Sequence, residues 1–357
     1  MSMSSARTGR ITLVCVVGTS TSLTYWAFGV AAHAMEEAFG AFHRIHCVSI
    51  EDFSAQWRER GERAVLFTTD LLDERLSALL CESGAPIIAL ADTAELAILT
   101  AAKLRQLSFL GAVRLSSLYI SSLQGVFAKA QTRVFASKSR AALVRDFVPR
   151  FLEAMRLTDN PALVERVLRR VAPDESRWSD LTVGEAVEAA DPSTDSIAVP
   201  PEWSAREIEA LLQTAADYQQ ILDRRPLQPF VWPAALLHAA NPEHHTELPL
   251  QLVGPARLLV WGPYMHLPKG KWSAAMEFEV EDNVSGNSVV ADILIGGEYA
   301  GMGEFNLPRR GIFTWKLDFE VKDVAKSIEV RLTLGKSAIE GTFFLRRVRL
   351  NGADPTN

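Results

Sequence analysis

The strongest constraint in this sequence is a two-residue alternation in its last third. From Lys271 to Glu281 the side chains of Trp272, Ala274, Met276, Phe278 and Val280 fall on one side of an extended chain, and Glu277, Glu279 and Glu281 on the other. Phe313, Trp315, Leu317, Phe319 and Val321 oppose Thr314, Lys316, Asp318 and Glu320 in the same way. Ile328, Val330, Leu332 and Leu334 repeat the pattern against Glu329, Arg331 and Thr333. Such a period marks strands with one face in a core. Further apolar runs at 257–261, 289–295 and 342–350 are separated by turn residues at Asp282-Asn283 to Gly286-Asn287, Gly296-Gly297 and Pro308 to Gly311. Residues 251–357 are therefore expected to form an antiparallel β-sandwich.

The first 115 residues read differently. Ile11–Val17, His43–Ile50, Ala64–Thr69 and Pro86–Ala91 are short apolar runs of the kind buried on both faces of a parallel sheet, and helical segments separate them. Four such strands predict an open, doubly wound, Rossmann-like α/β domain over 1–115. The Thr/Ser cluster at 19–22 offers N-caps for the helix that follows the first strand. From about Leu115 to Asp223 the period is helical throughout, with Leu143, Phe147, Phe151 and Met155 spaced by four. Asp191–Pro201 reads as a loop or linker, and Ser204 with Glu207 as a capping box for a helix through Leu222. Pro226–Pro249 reads as an irregular connection, so 116–250 is taken as a helical region and linker.

The chain of 357 residues carries 37 Lys+Arg and 43 Asp+Glu, a formal charge of −6. Residues 251–357 hold 13 of each sign, so the whole acidic surplus lies in 1–250. No basic block offers the surplus of cations that phosphate neutralisation needs, which argues against nucleic acid as a partner. Cys15, Cys47 and Cys81 share no C-x-x-C spacing, and the first two lie in apolar runs where a thiol is usually a small buried hydrophobe. Arg7 and Arg10 before the apolar run, with Ala31-Ala32-His33-Ala34 after it, imitate an export signal. Thr19–Ser22 interrupts that run, and no apolar stretch approaches the ~20 residues of a membrane span. A cytoplasmic location without a membrane span is the expectation.

Ligands of open α/β sheets bind beyond the carboxyl ends of the strands. Here those ends carry Gly18-Thr19-Ser20-Thr21-Ser22, Thr68-Thr69-Asp70 and Ala91-Asp92-Thr93. Gly18, Thr19, Ser20, Thr21, Asp70 and Asp92 are thus candidates for holding an anionic or nucleotide-like ligand, since backbone N–H groups at a helix start attract anions. Capping of the following helices is the competing role. Neither G-x-G-x-x-G nor the Lys of G-x-x-x-x-G-K-[ST] is present, and no paired acidic cluster follows the first strand. His43 and His46 on a strand face opposite sides, and His244-His245 with Glu243 and Glu247 lacks a further ligand at metal spacing, so no metal is expected. G-x-S-x-G, H-E-x-x-H and a metal-holding D-x-D are absent. No cofactor is named by any motif, and catalysis is left open.

Leu259–Trp272 (LVWGPYMHLPKGKW), followed by Glu277-Phe278-Glu279-Val280 and closing with Glu340–Arg346, resembles the jelly-roll modules that bind carbohydrate. The resemblance covers about residues 252–352. It implies a glycan ligand held by exposed aromatic faces and polar side chains, with Trp261, Tyr264, Asp282, Asn283 and Asn287 as candidates and Glu277, Lys316 and Arg331 on the hydrophilic face. Trp272 and Trp315 lie on the apolar face and are expected in the core. The leading expectation is a glycan-handling protein, for example in synthesis or modification of a bacterial surface polysaccharide. The alternatives are a non-catalytic assembly protein, whose sandwich docks a protein partner or a second copy of the chain, and a group-transfer enzyme using loop 18–22 as a phosphate site with Asp70 or Asp92 as base.

Overall fold

The computed structural model describes residues 11–72, 74–157, 160–191, 197–239 and 249–352. In chain order the first elements are β1 (Thr12–Gly18), α1 (Ser22–Phe39), β2 (His43–His46), α2 (Ile50–Glu59), β3 (Ala64–Thr69), α3 (Glu74–Glu82) and β4 (Ile87–Ala91). Helices α4 (Ala94–Arg105) and α5 (Phe109–Phe127) precede β5 (Thr132–Ala136), and α6 (Val144–Ala154), α7 (Pro161–Val171), α8 (Val183–Ala190) and α9 (Ala205–Leu222) follow it. The remaining strands are β6 (Phe230–Pro233), β7 (His238–Ala239), β8 (Leu250–Gln251), β9 (Arg257–Met265), β10 (Gly270–Glu281), β11 (Ser288–Ile295), β12 (Glu298–Asn306), β13 (Gly311–Val321), β14 (Ile328–Leu334) and β15 (Thr342–Gly352).

The chain divides into two compact units, one of Met1–Asp92 with Leu123–Ser196, the other of Thr93–Ser122 with Ile197–Asn357. The first is a parallel sheet in the order β2-β3-β1-β4-β5. Val14, Cys15, Val16 and Val17 of the central β1 have no exposed surface, as a strand covered on both faces requires. Leu23, Ala27 and Ala31 of α1 pack with Phe147 and Phe151 of α6 and Leu163 and Val167 of α7 in one core against the sheet. The connections leaving β1 and β4 run to opposite sides of these neighbouring strands, so their carboxyl ends form the topological switch point.

The second unit contains an antiparallel sandwich. One sheet runs β13-β10-β15-β6, with β8 alongside β15; the other runs β12-β11-β14-β9-β7. The period-two pattern is realised on β10 and β14, whereas Phe313, Trp315 and Leu317 of β13 are only half-buried, so Trp315, expected in the core, lies at its margin. Trp272, Ala274, Met276, Phe278 and Val280 are all buried, and Phe278 packs on Phe305 of the opposite sheet at 5.3 Å between ring centroids. Phe305 in turn stacks on Trp315 at 4.8 Å. Helices α4 and α9 belong to this unit and pack on each other. The capping box of α9 forms as read, with Ser204 accepting from the Glu207 N–H and Glu207 accepting from the Ser204 N–H.

Three local expectations are corrected. The stretch after Leu115 is not helical throughout, because Thr132–Ala136 adds a fifth parallel strand beside β4. The connection 226–249 is not wholly irregular, because Phe230–Pro233 pairs with β15 and His238–Ala239 with β9. The strand beginning at His43 stops at His46, and Ser49 instead caps α2 by accepting from the Asp52 N–H. In each case a pairing partner or cap distant from the apolar pattern decides the conformation.

Asp217 of α9 fixes β6 in place, its Oδ2 accepting from the Val231 N–H at 2.6 Å and its Oδ1 from Gln213 at 3.0 Å. Burial pushes this carboxyl up to about 6, although both hydrogen bonds oppose the shift. A raised carboxyl pKa means that the folded chain favours the proton. Stability attributable to this group is therefore intact below pH ~4 and lost as pH rises toward 6. The expected outcome for Asp217→Asn, which keeps the shape and an acceptor, is a melting temperature near wild type at pH 4 and several degrees above it at pH 7 to 8. Calorimetric scans across that range check this.

Candidate functional site

At the switch point of the parallel sheet, β1 ends on Gly18. A Cβ there would stand 2.6 Å from Thr24 Oγ1 and 2.9 Å from Leu90 Cβ, so only glycine lets β1, β4 and α1 approach this closely. The Thr19 N–H donates to Leu90 O at 3.2 Å, and Thr19, Ser20 and Thr21 are all buried. Ser20 donates to Asp70 Oδ2 at 2.5 Å and the Tyr25 hydroxyl to the same oxygen at 2.9 Å. Asp92 has no exposed surface and receives Arg140 in a two-pronged contact, Nε at 3.2 Å from Oδ1 and Nη2 at 2.6 Å from Oδ2. The same Nη2 donates to Ser22 Oγ at 3.0 Å.

The six residues predicted for the crevice thus lie together, and Ser22, Tyr25 and Arg140 join them. Arg140 comes from the segment after β5, 48 residues beyond Asp92, and the strand that delivers it was not legible. The hydroxyls do not cap α1: Thr21 is its N-cap residue, yet its side chain makes no capping bond. Thr93, by contrast, caps α4 by accepting from the Leu96 N–H. Two carboxylates and one guanidinium face each other here, so the start of α1 offers an anion less attraction than its helix dipole alone would.

In the sandwich, strand register aligns one residue from each strand of the second sheet into a row across its outer face: Met302, Asp292, Arg331, Trp261 and His238. The inward neighbours Ala291, Ile293, Val330 and Leu332 are buried, which identifies the row as outward. Arg331 Nη2 donates to Asp292 Oδ2 at 3.2 Å and to the Tyr299 hydroxyl at 2.9 Å. Tyr299 is 66% exposed, and the guanidinium carbon lies 5.4 Å from its ring centroid. Asp292 Oδ1 and Arg331 Nε are buried and make no hydrogen bond among the described residues. Trp261 is half-buried and stacks on His238 at 5.5 Å. Arg114 of α5 reaches the same end of the face, donating to Pro263 O at 2.6 Å, meeting His238 Nε2 at 2.9 Å and lying over the Tyr264 ring. Burial, reinforced by Arg114, lowers the His238 pKa from its ordinary value. Tyr264 donates to Glu329 at 2.8 Å, and burial, reinforced by that bond, raises its phenol.

Trp261, Tyr264 and Arg331 therefore share one face. The other predicted residues sit elsewhere. Asn283 and Asn287 are buried in the loop after β10, where Asn283 donates to Leu307 O and accepts from the Asn287 N–H and side-chain amide. Asn287 also donates to Glu340 O. Asp282 is exposed in that loop with φ 54°. Glu277 and Lys316 lie on the first sheet. Tyr299 was not foreseen: its strand, EYAGMGEFN, has two glycines and no β-branched residue, and only the preceding Gly296-Gly297 turn hinted at a new strand.

Among the described residues no group of His, Cys, Asp and Glu side chains is arranged to hold a metal ion, and no helix is long and apolar enough to cross a membrane. Glu243, His244, His245 and Glu247 lie outside the described residues, as do Arg7 and Arg10. Cys15 and Cys47 are buried, and burial raises both thiols, Cys47 to about 11.

No protein-family model matches the chain, and no curated protein does. Among solved structures it is similar to the CBM36-1 domain of a multidomain xylanase from the hindgut metagenome of Trinervitermes trinervoides, with 12% identity, 36% of this chain and 99% of that one covered, and a TM-score of 0.25. It is similar to the C-terminal CBM6 of LamC, a marine laminarinase from Zobellia galactanivorans, with 12% identity, 35% and 99% covered, and a TM-score of 0.21. It is also similar to mouse sulfotransferase SULT7A1 complexed with PAP, with 12% identity, 60% and 90% covered, and a TM-score of 0.39.

The Arg140 contact makes a direct prediction. Arg140→Ala removes the two-pronged contact from the buried Asp92 carboxylate and is expected to destabilise the chain by about 3 kcal/mol. Adding Asp92→Asn should recover most of that loss. Urea unfolding of the two single variants and the double variant measures the coupling.

Proposed function

We propose that the protein handles glycans, in the cytoplasmic setting of polysaccharide synthesis or modification that the sequence suggests, and that the sandwich holds a sugar on the outer face of its second sheet at Tyr299. The observation that carries this is the Tyr299–Arg331–Asp292 arrangement. Tyr299 presents an exposed ring whose hydroxyl and face are both fixed by Arg331. Behind it, Asp292 Oδ1 and Arg331 Nε keep unspent hydrogen-bonding capacity. Sugar rings bind by laying C–H faces on an aromatic ring and pairing vicinal hydroxyls with forked polar side chains. Equal numbers of acidic and basic residues in 251–357 suit a neutral or mixed ligand. The group-transfer reading draws less from the crevice, since Asp70 and Asp92 face any phosphate there.

Screening the whole chain on a broad glycan array, then titrating the hits, tests the reading. Tyr299→Ala is expected to weaken binding at least about tenfold, equivalent to ~1.4 kcal/mol, with no change in melting temperature. Absence of any glycan hit, or an unchanged affinity in Tyr299→Ala, refutes it.

One observation favours the assembly reading as well. Val253, Val284 and Ile339 are 52%, 60% and 81% exposed. Their loops meet at one end of the sandwich through the Gly254–Ala338 backbone bonds and the Ser285–Glu340 contact. Sedimentation velocity should then show a concentration-dependent mass that Ile339→Ser abolishes; a constant monomer mass counts against a second copy as the partner.

A further inference from the structure

Helix α1 is buried on nearly every side, with Leu23, Ala27, Ala31, Ala34 and Met35 all at 0% exposure. One strip, carrying Tyr25, Trp26, Gly29 and His33, lines a half-open cavity of about 300 Å³ bounded on its other side by Arg170 at the end of α7 and Val187 of α8. That volume lies at the lower end of small-molecule sites. Gly29 is the informative residue. It sits in the interior of an 18-residue helix, where glycine is disfavoured against alanine because it gives up more conformational freedom. Apart from its chain neighbours and the helix's own backbone, no described atom lies within 4 Å of where its Cβ would be. Neither the helical backbone conformation nor a close neighbour therefore calls for glycine. What it leaves bare is helix backbone, facing the cavity between Tyr25 and His33.

The electrostatics narrow the ligand. Arg170 is bridged to Glu36 at 2.7 Å and to Glu37 at 3.3 Å, and Arg166 holds Glu37 at 2.8 Å, so the guanidinium at the mouth is already neutralised. Burial, reinforced by Arg170, lowers the His33 pKa from its ordinary value, which disfavours a cationic imidazole there. The lining thus has no surplus cation for a phosphate or carboxylate. Trp26 and Tyr25 supply aromatic surface, and a helix without a Cβ at Gly29 gives a flat surface between them. We infer that this cavity binds an uncharged, flat ring compound, mono- or bicyclic, that lies on the bare backbone at Gly29 beside Trp26 and Tyr25. The site is independent of the sandwich and of the glycan reading.

Indole and coumarin serve as neutral bicyclic probes and benzoate as an anionic one, each titrated against the full chain by thermal shift and ligand-detected NMR. The two neutral probes are expected to raise the melting temperature saturably, because a ligand of the native state stabilises it. Benzoate is expected to leave it unchanged. Gly29→Leu should abolish the shift by filling the cavity. Gly29→Ala should weaken binding severalfold while the unliganded variant melts at or above wild type, and it carries the test alone if Gly29→Leu fails to fold. The inference is overturned if neither neutral probe binds, if Gly29→Leu folds and binds them as wild type does, or if benzoate binds equally. It is also overturned if unliganded Gly29→Ala melts below wild type, which would make the glycine a packing requirement.

Discussion

A carboxylate with no exposed surface cannot stay charged without a partner, and Asp92 at the end of β4 is such a group. Its partner, Arg140, follows β5, so the pair ties the carboxyl ends of two neighbouring strands together. Through Ser22 the same guanidinium reaches the first turn of α1. The fixed start of α1 then holds Tyr25 against Asp70 at the end of β3. One guanidinium and two carboxylates thereby organise the ends of β1, β3, β4 and β5, and the direction of α1 follows from them.

Legibility followed the distance over which each conformation is decided. The sandwich strands announce themselves because each carries its own alternation, and Trp272 to Val280 are buried as that alternation demands. The capping box at Ser204 is equally local. β5 and β6 are four or five residues long, too short for a period to emerge, and each is a strand because β4 or β15 offers it a ladder. Helix α4 shows the same limit in another form. Ala94, Ala97, Ile98, Leu99, Ala101 and Ala102 are all buried, so it is apolar on more than one side and its sequence does not say which partner covers it. It follows β4 in the regular alternation of strands and helices, yet it packs on α9. The crevice residues were found because they sit at strand ends, whereas Arg140 was not, because only the fold brings it there.

The two outer faces of the sandwich offer a comparison within one molecule. On the first sheet, Glu277 meets Arg347 through two contacts at 3.0 and 3.3 Å, and Glu279 meets Arg346 at 2.7 Å. These pairs sit opposite or diagonal to each other on β10 and β15 and are partly solvated, as a sheet surface facing water needs. On the second sheet, the Asp292 and Arg331 side chains are 8% and 26% exposed, yet they share one contact at 3.2 Å. Each also leaves a buried polar atom unsatisfied. A solvated face has no reason to bury charge under a tyrosine and leave its hydrogen bonds unmade, since each unmade bond costs about 1–3 kcal/mol. Partial satisfaction of this kind is usual where a site is arranged for something other than stability. Tyr299 and Met302 stand beside this pair on the edge strand β12, each 66% exposed, and the first sheet has no aromatic residue so exposed. That contrast, and not the aromatic content of the sandwich as a whole, is what carries the proposal of the second sheet as the binding face.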